Sequence, residues 1–339
     1  MRAALSRTIA AFLAWGAMAS LAAPPAADWE RFKQSFVDPD GRVVDAVQGG
    51  ISHSEGQGFA MLFAVHHGDR DAFERLWRWT RRNLQVRDDA LLAWRWEPQR
   101  GVTDRNDATD GDLLVAWALW RAAAAWERPE YATEARRIAR DVRTRAMRRG
   151  THGLVLLPGL EGFDKPDGAV LNLSYWVFPA LAELDRADPA PEWAEVSRNG
   201  LEILGYSYFG RWGLPPDWLK LGDRVAPAGP SPQRFGYDAV RIPLYLLWSG
   251  LDTDARMKPY RDFWGTYRDA RELPAFTNLG DDSVDSRGAA AGIRAVAQWV
   301  LARPAPAAEA LPLLETGDTY YSAVLLLLCK MALRERQAH

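Results

Sequence analysis

The chain has a single cysteine among 339 residues, Cys329. It has no partner for an internal disulfide, and a chain of this length can build a core without covalent staples. Histidine is scarce too. His53, His66, His67, His152 and His339 are the full set, and none falls in an H-E-x-x-H or Cys/His zinc spacing. A calcium loop is hinted at by "DRNDATDGD" (104–112). There, however, Ala108 takes the place of an oxygen ligand, and the distal Glu is missing. The sequence therefore implies no metal and no cofactor. Charge of one sign is not in excess: the formal net charge is −2, which implies no basic face for nucleic acid. After residue 21 no run approaches the ~18 uninterrupted apolar residues of a membrane span. "GQGFAML" (56–62) lacks the third glycine of a dinucleotide fingerprint and the Lys-Ser/Thr of a phosphate loop. Its glycines suit a close approach of the backbone to another helix or a substrate. A G-x-S-x-G elbow is absent, which removes support for a serine nucleophile.

The N-terminus reads as a leader. Arg2 and Arg7 precede an apolar stretch, Ile9 to Leu21, and Ala22 and Ala23 follow. This is the layout of a secretory signal peptide. It divides the chain into a leader, residues 1–22, and one mature domain, residues 23–339. The mature protein is expected in the periplasm or outside the cell, with no membrane span.

Helical periodicity is abundant. Apolar residues recur at three- and four-residue steps over Asp28–Phe36, Glu55–His67, Arg70–Val86, Asp110–Trp126, Glu130–Arg148, Leu171–Arg186, Pro191–Tyr208, Tyr237–Trp248, Ala255–Asp269, Val284–Leu301, Ala308–Leu314 and Asp318–Arg334. Strand-like pieces are short: "GRVVDAV" (41–47), "LLAWRWE" (91–97) and "GLVLLPG" (153–159). These read as hairpin arms in loops of an all-α domain of paired helices.

Three helix starts carry acids. Ser52-x-x-Glu55 fits a capping box, with Glu55 serving the first turn. Asp107, Asp110 and Asp112 open the helix of "NDATDGDLLVAWALW" (106–120), one as a cap and the others favoured by the positive helix end. Asp238 follows Tyr237 and precedes Arg241 by three residues, the spacing of an ion pair. Each has a purely structural explanation. Together they suggest acids gathered at one end of a helical array. Sixteen tryptophans add flat faces suited to sugar rings.

"SEGQGFAMLFAV", "ATDGDLLVAWALWRAAAAW", "NLSYWVFPAL" and "GYDAVRIPLYL" resemble, in order, four motifs of bacterial glycoside hydrolase family 8. The resemblance spans essentially the whole mature chain. Departures at Val115 and Trp120 touch no acid. The resemblance implies an (α/α)6 barrel with short β hairpin decorations in its loops. It also implies endo-hydrolysis of β-1,4-glucan with inversion. By those motifs Glu55 would be the general acid and Asp238 the base that activates water. Asp110 would grip and distort the sugar, although some descriptions of the motif make this acid the nucleophile. Tyr175 would help hold the water. Arg241 would keep Asp238 ionised, and Trp94, Trp96 and Tyr237 would be stacking faces. The single-domain layout with a leader resembles the periplasmic cellulases encoded with bacterial cellulose synthase, so a β-1,4-glucan chain and the synthase machinery are the expected partners. Xylan or chitosan as the polymer remains open. A glucan-binding chaperone without turnover would be expected to lack an acid or a base, and both are present. A glycosyltransferase using Asp110-Gly111-Asp112 would need that motif at a strand end, and here it opens a helix.

Inversion explains the residue types. One carboxylic acid protonates the leaving oxygen. A second, ionised carboxylate ~6.5–9.5 Å away activates water on the other face of the ring. The acid must hold its proton although a helix N-terminus favours its ionised form. A nearby Asp110 and desolvation by bound sugar are the two available opposing causes.

Overall fold

The computed structural model describes residues 27–229, 232–285 and 288–337. The leader expected over residues 1–22 lies outside them. The α-helices among the described residues are α1 (Ala27–Phe36), α2 (Ser54–His66), α3 (Arg70–Asn83), α4 (Thr109–Trp126), α5 (Pro129–Asp141), α6 (Phe178–Ala187), α7 (Pro191–Leu204), α8 (Arg241–Trp248), α9 (Asp254–Trp264), α10 (Ala291–Leu301) and α11 (Tyr320–Gln337).

Their sequences sort them into two rings. α4 is buried without a break from Thr109 to Leu119, α8 over its whole length, and α11 from Ser322 to Leu333. Helices apolar on every side belong in the interior. By contrast α3 buries only a stripe, Ala72, Phe73, Leu76, Trp77, Trp79 and Thr80. The inner ring closes in the order α2, α4, α6, α8, α10, α11 and back to α2. Around it, α3 packs on α2, α5 on α4, α7 on α6, α9 on α10 and α1 on α11. This is the (α/α)6 barrel, and its core is the space enclosed by the inner helices.

The twelfth helix expected over Ala308–Leu314 is only a 3-10 turn, Ala308–Ala310. Pro312 lies in the middle of that expected span; it donates no N–H and turns Leu311 away from helical geometry. The helix expected from Leu171 begins later, at Phe178, after a separate turn at Leu173–Tyr175. The helix expected from Tyr237 begins at Arg241. Asp238 therefore sits in a turn ahead of the helix.

An outer segment precedes every inner helix, a helix in five cases and, before α11, the stretch 302–319 with its 3-10 turn, and this has one consequence that matters for chemistry. Every inner helix runs the same way, so all their N-termini emerge at one end. The loops leading into them carry the short strands. Ser52–His53 pairs with Arg95–Glu97, which pairs with Gly101–Asp104. Ala169–Leu171, Leu219–Leu221 and Val225–Pro227 form a second small sheet, and Met147–Gly150 with Gly153–Leu156 a hairpin. These strand pieces lie in loops, as expected.

Candidate active site

At the N-terminal end of the inner ring four helix starts converge. Glu55 is the second residue of α2, Asp110 the second of α4 and Arg241 the first of α8; Ser174 and Tyr175 precede α6. The contact between α2 and α4 is unusually close because glycines face it. A Cβ on Gly58 would stand 2.6 Å from the Leu114 Cβ, and one on Gly111 would stand 2.7 Å from the Glu55 backbone nitrogen. These distances are below normal carbon contact, so glycine at both places brings Glu55 beside Asp110.

Arg241 is the centre of the cluster. Its side chain is only 2 % exposed. Nη1 contacts Glu55 Oε1 and donates to Asp110 Oδ2 at 3.2 Å. Nη2 donates to Ser174 Oγ at 2.8 Å and to Asp238 Oδ1 at 3.1 Å. One guanidinium thus ties together all three acids, from three different stretches of chain. A planar fork suits this task as a point charge would not. Its two nitrogens share one carbon, so the Glu55 and Asp238 oxygens facing them lie at most roughly 8 Å apart.

The acids differ in their surroundings. Glu55 and Asp238 keep side-chain exposures of 20 % and 30 %, whereas Asp110 keeps 1 %. Burial pushes the Asp110 carboxyl up to about 7, against the pull of the Gly111 N–H. Burial, Asp217 and Asp110 push Asp238 well above the usual carboxylate range, while the nearby Asn172 amide and the charge of Arg234 oppose them. Burial raises the Tyr175 hydroxyl well above its usual value, followed by the charges of Asp110 and Asp238. Its ring centroid is 5.8 Å from the Arg241 guanidinium carbon.

Ser52 and Glu55 do not form the expected capping box. Ser52 is drawn into strand pairing with Trp96, and its hydroxyl donates to the Val43 carbonyl at 2.6 Å. His53 caps α2 instead: its Nδ1 accepts the Gly56 N–H at 3.0 Å. With that lone pair committed, Nδ1 offers no proton to Glu55 Oε2, 3.8 Å away, and Nε2 faces Asp45. Glu55 is thereby free of capping duty. Nor does an acid cap α4, whose N-cap is Ala108. Asp107 and Asp112 instead hold loops, accepting the N–H groups of Leu160 at 2.9 Å and Leu92 at 2.8 Å. Among the described residues no three His, Cys, Asp or Glu side chains form a metal-binding group.

The aromatic candidates separate. Tyr237 is 40 % exposed at the rim, with Tyr321 donating to its carbonyl oxygen. Trp94 is half-buried, and its carbonyl accepts the Ser54 N–H at 3.1 Å, which places its backbone at the start of α2. Trp96 lies apart from the cluster, edge-on to Trp79 at 5.5 Å with Arg42 over its ring. Trp94 precedes the strand Arg95–Glu97, whereas Trp96 lies within it, between Ser52 and Val102.

Sequence reasoning passed over several neighbours. Ser174 holds Arg241, Asn172 faces Asp238, and Asp217 binds the turn that carries Asp238. Trp218 is edge-on to Tyr175 and stacked on Phe163 at 5.7 Å. The available signal for Asp217 and Trp218 was "LPPDWLK" (214–220), an acid and a tryptophan directly after two prolines.

Comparisons with known proteins bear on the family and the fold. The model of the family described as "Glycosyl hydrolases family 8" matches residues 3–335. A probable endoglucanase from Novacetimonas hansenii is 39% identical over 315 residues, 91% of each chain. The solved structure of an endo-β-1,4-glucanase from Acetobacter xylinum superposes with a TM-score of 0.86 at 39% identity, covering 91% of this chain and 98% of that one. A family 8 endoglucanase from Klebsiella pneumoniae gives the same TM-score at 36% identity, covering 91% and 99%. Sequence, fold and the match along almost the entire chain lead to one conclusion: this chain belongs to glycosyl hydrolases family 8 and is a glycoside hydrolase.

Proposed function

We propose that the enzyme is an endo-β-1,4-glucanase that cuts internal bonds of a glucan chain with inversion. Glu55 gives its proton to the departing glycosidic oxygen, and Asp238 takes a proton from the attacking water. The observation that carries this reading is the convergence of Glu55, Asp110 and Asp238 on the buried guanidinium of Arg241. It supplies two half-exposed carboxylates for proton transfer and a third, buried one to hold the sugar between them. The upper limit set by the fork, roughly 8 Å, reaches into the lower part of the ~6.5–9.5 Å range of an inverting pair. Tyr175 and Asn172, next to Asp238, offer polar groups to fix a water. The names borne by the relatives, endoglucanase and endo-β-1,4-glucanase, support the polymer.

Arg241 changes the account of how Glu55 keeps its proton. The sequence suggests Asp110 as a charge that opposes ionisation, yet Arg241 sits between the two. Its positive charge favours the ionised form of both. Desolvation by the bound sugar is then the main force that raises Glu55 to the protonated state. Tyr237 at the rim and Trp94 near the start of α2 are the stacking faces this reading keeps; Trp96 takes no part in it.

The leader over residues 1–22 supports work in the periplasm or outside the cell. The likeness to the probable endoglucanase of Novacetimonas hansenii fits a role beside bacterial cellulose synthase, trimming glucan as it is exported.

Two measurements test the reading. Reducing-sugar release is followed in parallel on carboxymethylcellulose, xylan and chitosan, with the first the expected substrate. Proton NMR of the fresh reducing end, before mutarotation, is expected to show the α-anomer. A β-anomer would mean a covalent intermediate on Asp110 and would remove the role given to Asp238.

A further inference from the structure

Asp217 lies 21 residues before Asp238, in the loop ahead of Leu219–Leu221, and its side chain is only 4 % exposed. Its Oδ1 accepts three backbone N–H groups: Gly236 at 3.0 Å, Asp238 at 3.1 Å and Ala239 at 2.9 Å. Its Oδ2 accepts from Arg234 Nε at 3.0 Å. The N–H groups ahead of a helix have no partners within the helix, and the residue before α8, Val240, has no capping side chain. The Arg241 and Ile242 N–H groups bond back to the Asp238 and Ala239 carbonyls of the preceding turn, and the Asp217 carboxylate takes up the N–H groups of that turn itself.

We propose that Asp217 is the positioning residue of the base: one carboxylate oxygen holds the Gly236–Ala239 turn and thereby aims Asp238 at the water. The inference rests on the reading of Asp238 as the base.

The same carboxylate has an electrostatic effect on Asp238. The charged and polar groups facing Asp238 come from every side: Asp217 from the loop, Asp110 from α4, Arg234 from the strand Arg234–Phe235, Arg241 from α8, Asn172 and Tyr175 ahead of α6, and Tyr321 from α11. Asp217 and Asp110 favour the proton on Asp238, and Arg234 opposes it. Asp217 and Arg234 thus form a pair of opposite sign beside the base, and removing either one unbalances it in a known direction.

The test is the acid limb of the kcat/KM–pH profile, where the base becomes protonated. Asp217→Asn keeps an oxygen for the three N–H groups and removes the negative charge. The limb is expected to move to lower pH by at least about half a unit. Because the amide nitrogen disturbs Arg234 and loosens the turn, kcat should fall by about 10–100-fold with a smaller change in KM. Arg234→Gln leaves the three N–H bonds in place and removes the cation, so the limb is expected to move the other way, to higher pH. If Asp217→Asn does not fold, the Arg234→Gln shift decides. A limb that stays put in every folded variant, or moves the same way in both, overturns the proposal. Asp238→Ala separates this from the underlying reading. Azide should restore turnover to that variant if Asp238 is the base. Rescue by azide with unmoved limbs sinks only the role of Asp217, whereas full activity of Asp238→Ala without azide removes the base itself.

Discussion

Gly111→Ala tests whether the close contact of α2 and α4 is what places the acid. The added Cβ would stand 2.7 Å from the Glu55 nitrogen, against an ordinary contact that begins at 3.4 Å. Ser54 Oγ would be nearer still and can turn aside, but the Glu55 nitrogen is helix backbone and cannot. The two helix starts must therefore part by about 0.7 Å. Overpacking of this kind costs ~1–3 kcal/mol, and alanine in place of glycine in a helix returns about 1 kcal/mol, so the net destabilisation is small. Activity should suffer more. A misplacement of ~1 Å costs on the order of 10²-fold in rate, and here it separates Glu55 from the sugar held by Asp110. We expect kcat on soluble carboxymethylcellulose to fall about 10–100-fold, while Tm drops by a few degrees. Gly150→Ala is the control, because its Cβ would meet nothing within 4 Å. If Gly111→Ala keeps kcat within about twofold of the wild type, the α2–α4 contact absorbs a methyl group and the placement of Glu55 has another cause.

Two further outcomes follow from the site. Glu55→Gln should leave the fold intact, because His53 and not Glu55 caps α2, and should lower turnover by roughly 10²–10⁴-fold; retention of more than about a tenth of wild-type activity would take general-acid catalysis away from Glu55. Asp112→Asn probes burial: burial and then Asp107 push this carboxyl well above its ordinary value. The folded state therefore holds a proton that the unfolded chain has already lost above about pH 4, and wild-type stability must fall as pH rises from there toward the folded value. Asparagine cannot titrate and can still accept the Leu92 N–H, so the Tm of the variant should gain on the wild type as pH rises from 4 to 8. Parallel Tm curves would refute the assignment.

Much of this was legible along the chain. The three- and four-residue rhythm of apolar side chains places most of the helices, because burial of a helix face is a local pattern. The acids at the starts of α2 and α4 stand in motifs whose order survives in one dimension, and so does the spacing of Asp238 and Arg241. What one dimension could not hold was decided by pairing between distant segments. Ser52 looks like a cap until Trp96 pairs with it and His53 takes over. The helix around Asp238 looks continuous until Asp217, far upstream, holds its first residues in a turn. Trp94 and Trp96 look equivalent until strand pairing takes in the second and Trp79 claims its ring. Above all, Arg241 reads as the partner of one aspartate three residues away. Only the closing of six parallel inner helices turns it toward Glu55 and Asp110 as well, because an outer segment returns the chain before each inner helix and brings every inner N-terminus, with its partial positive charge, to the same end of the barrel.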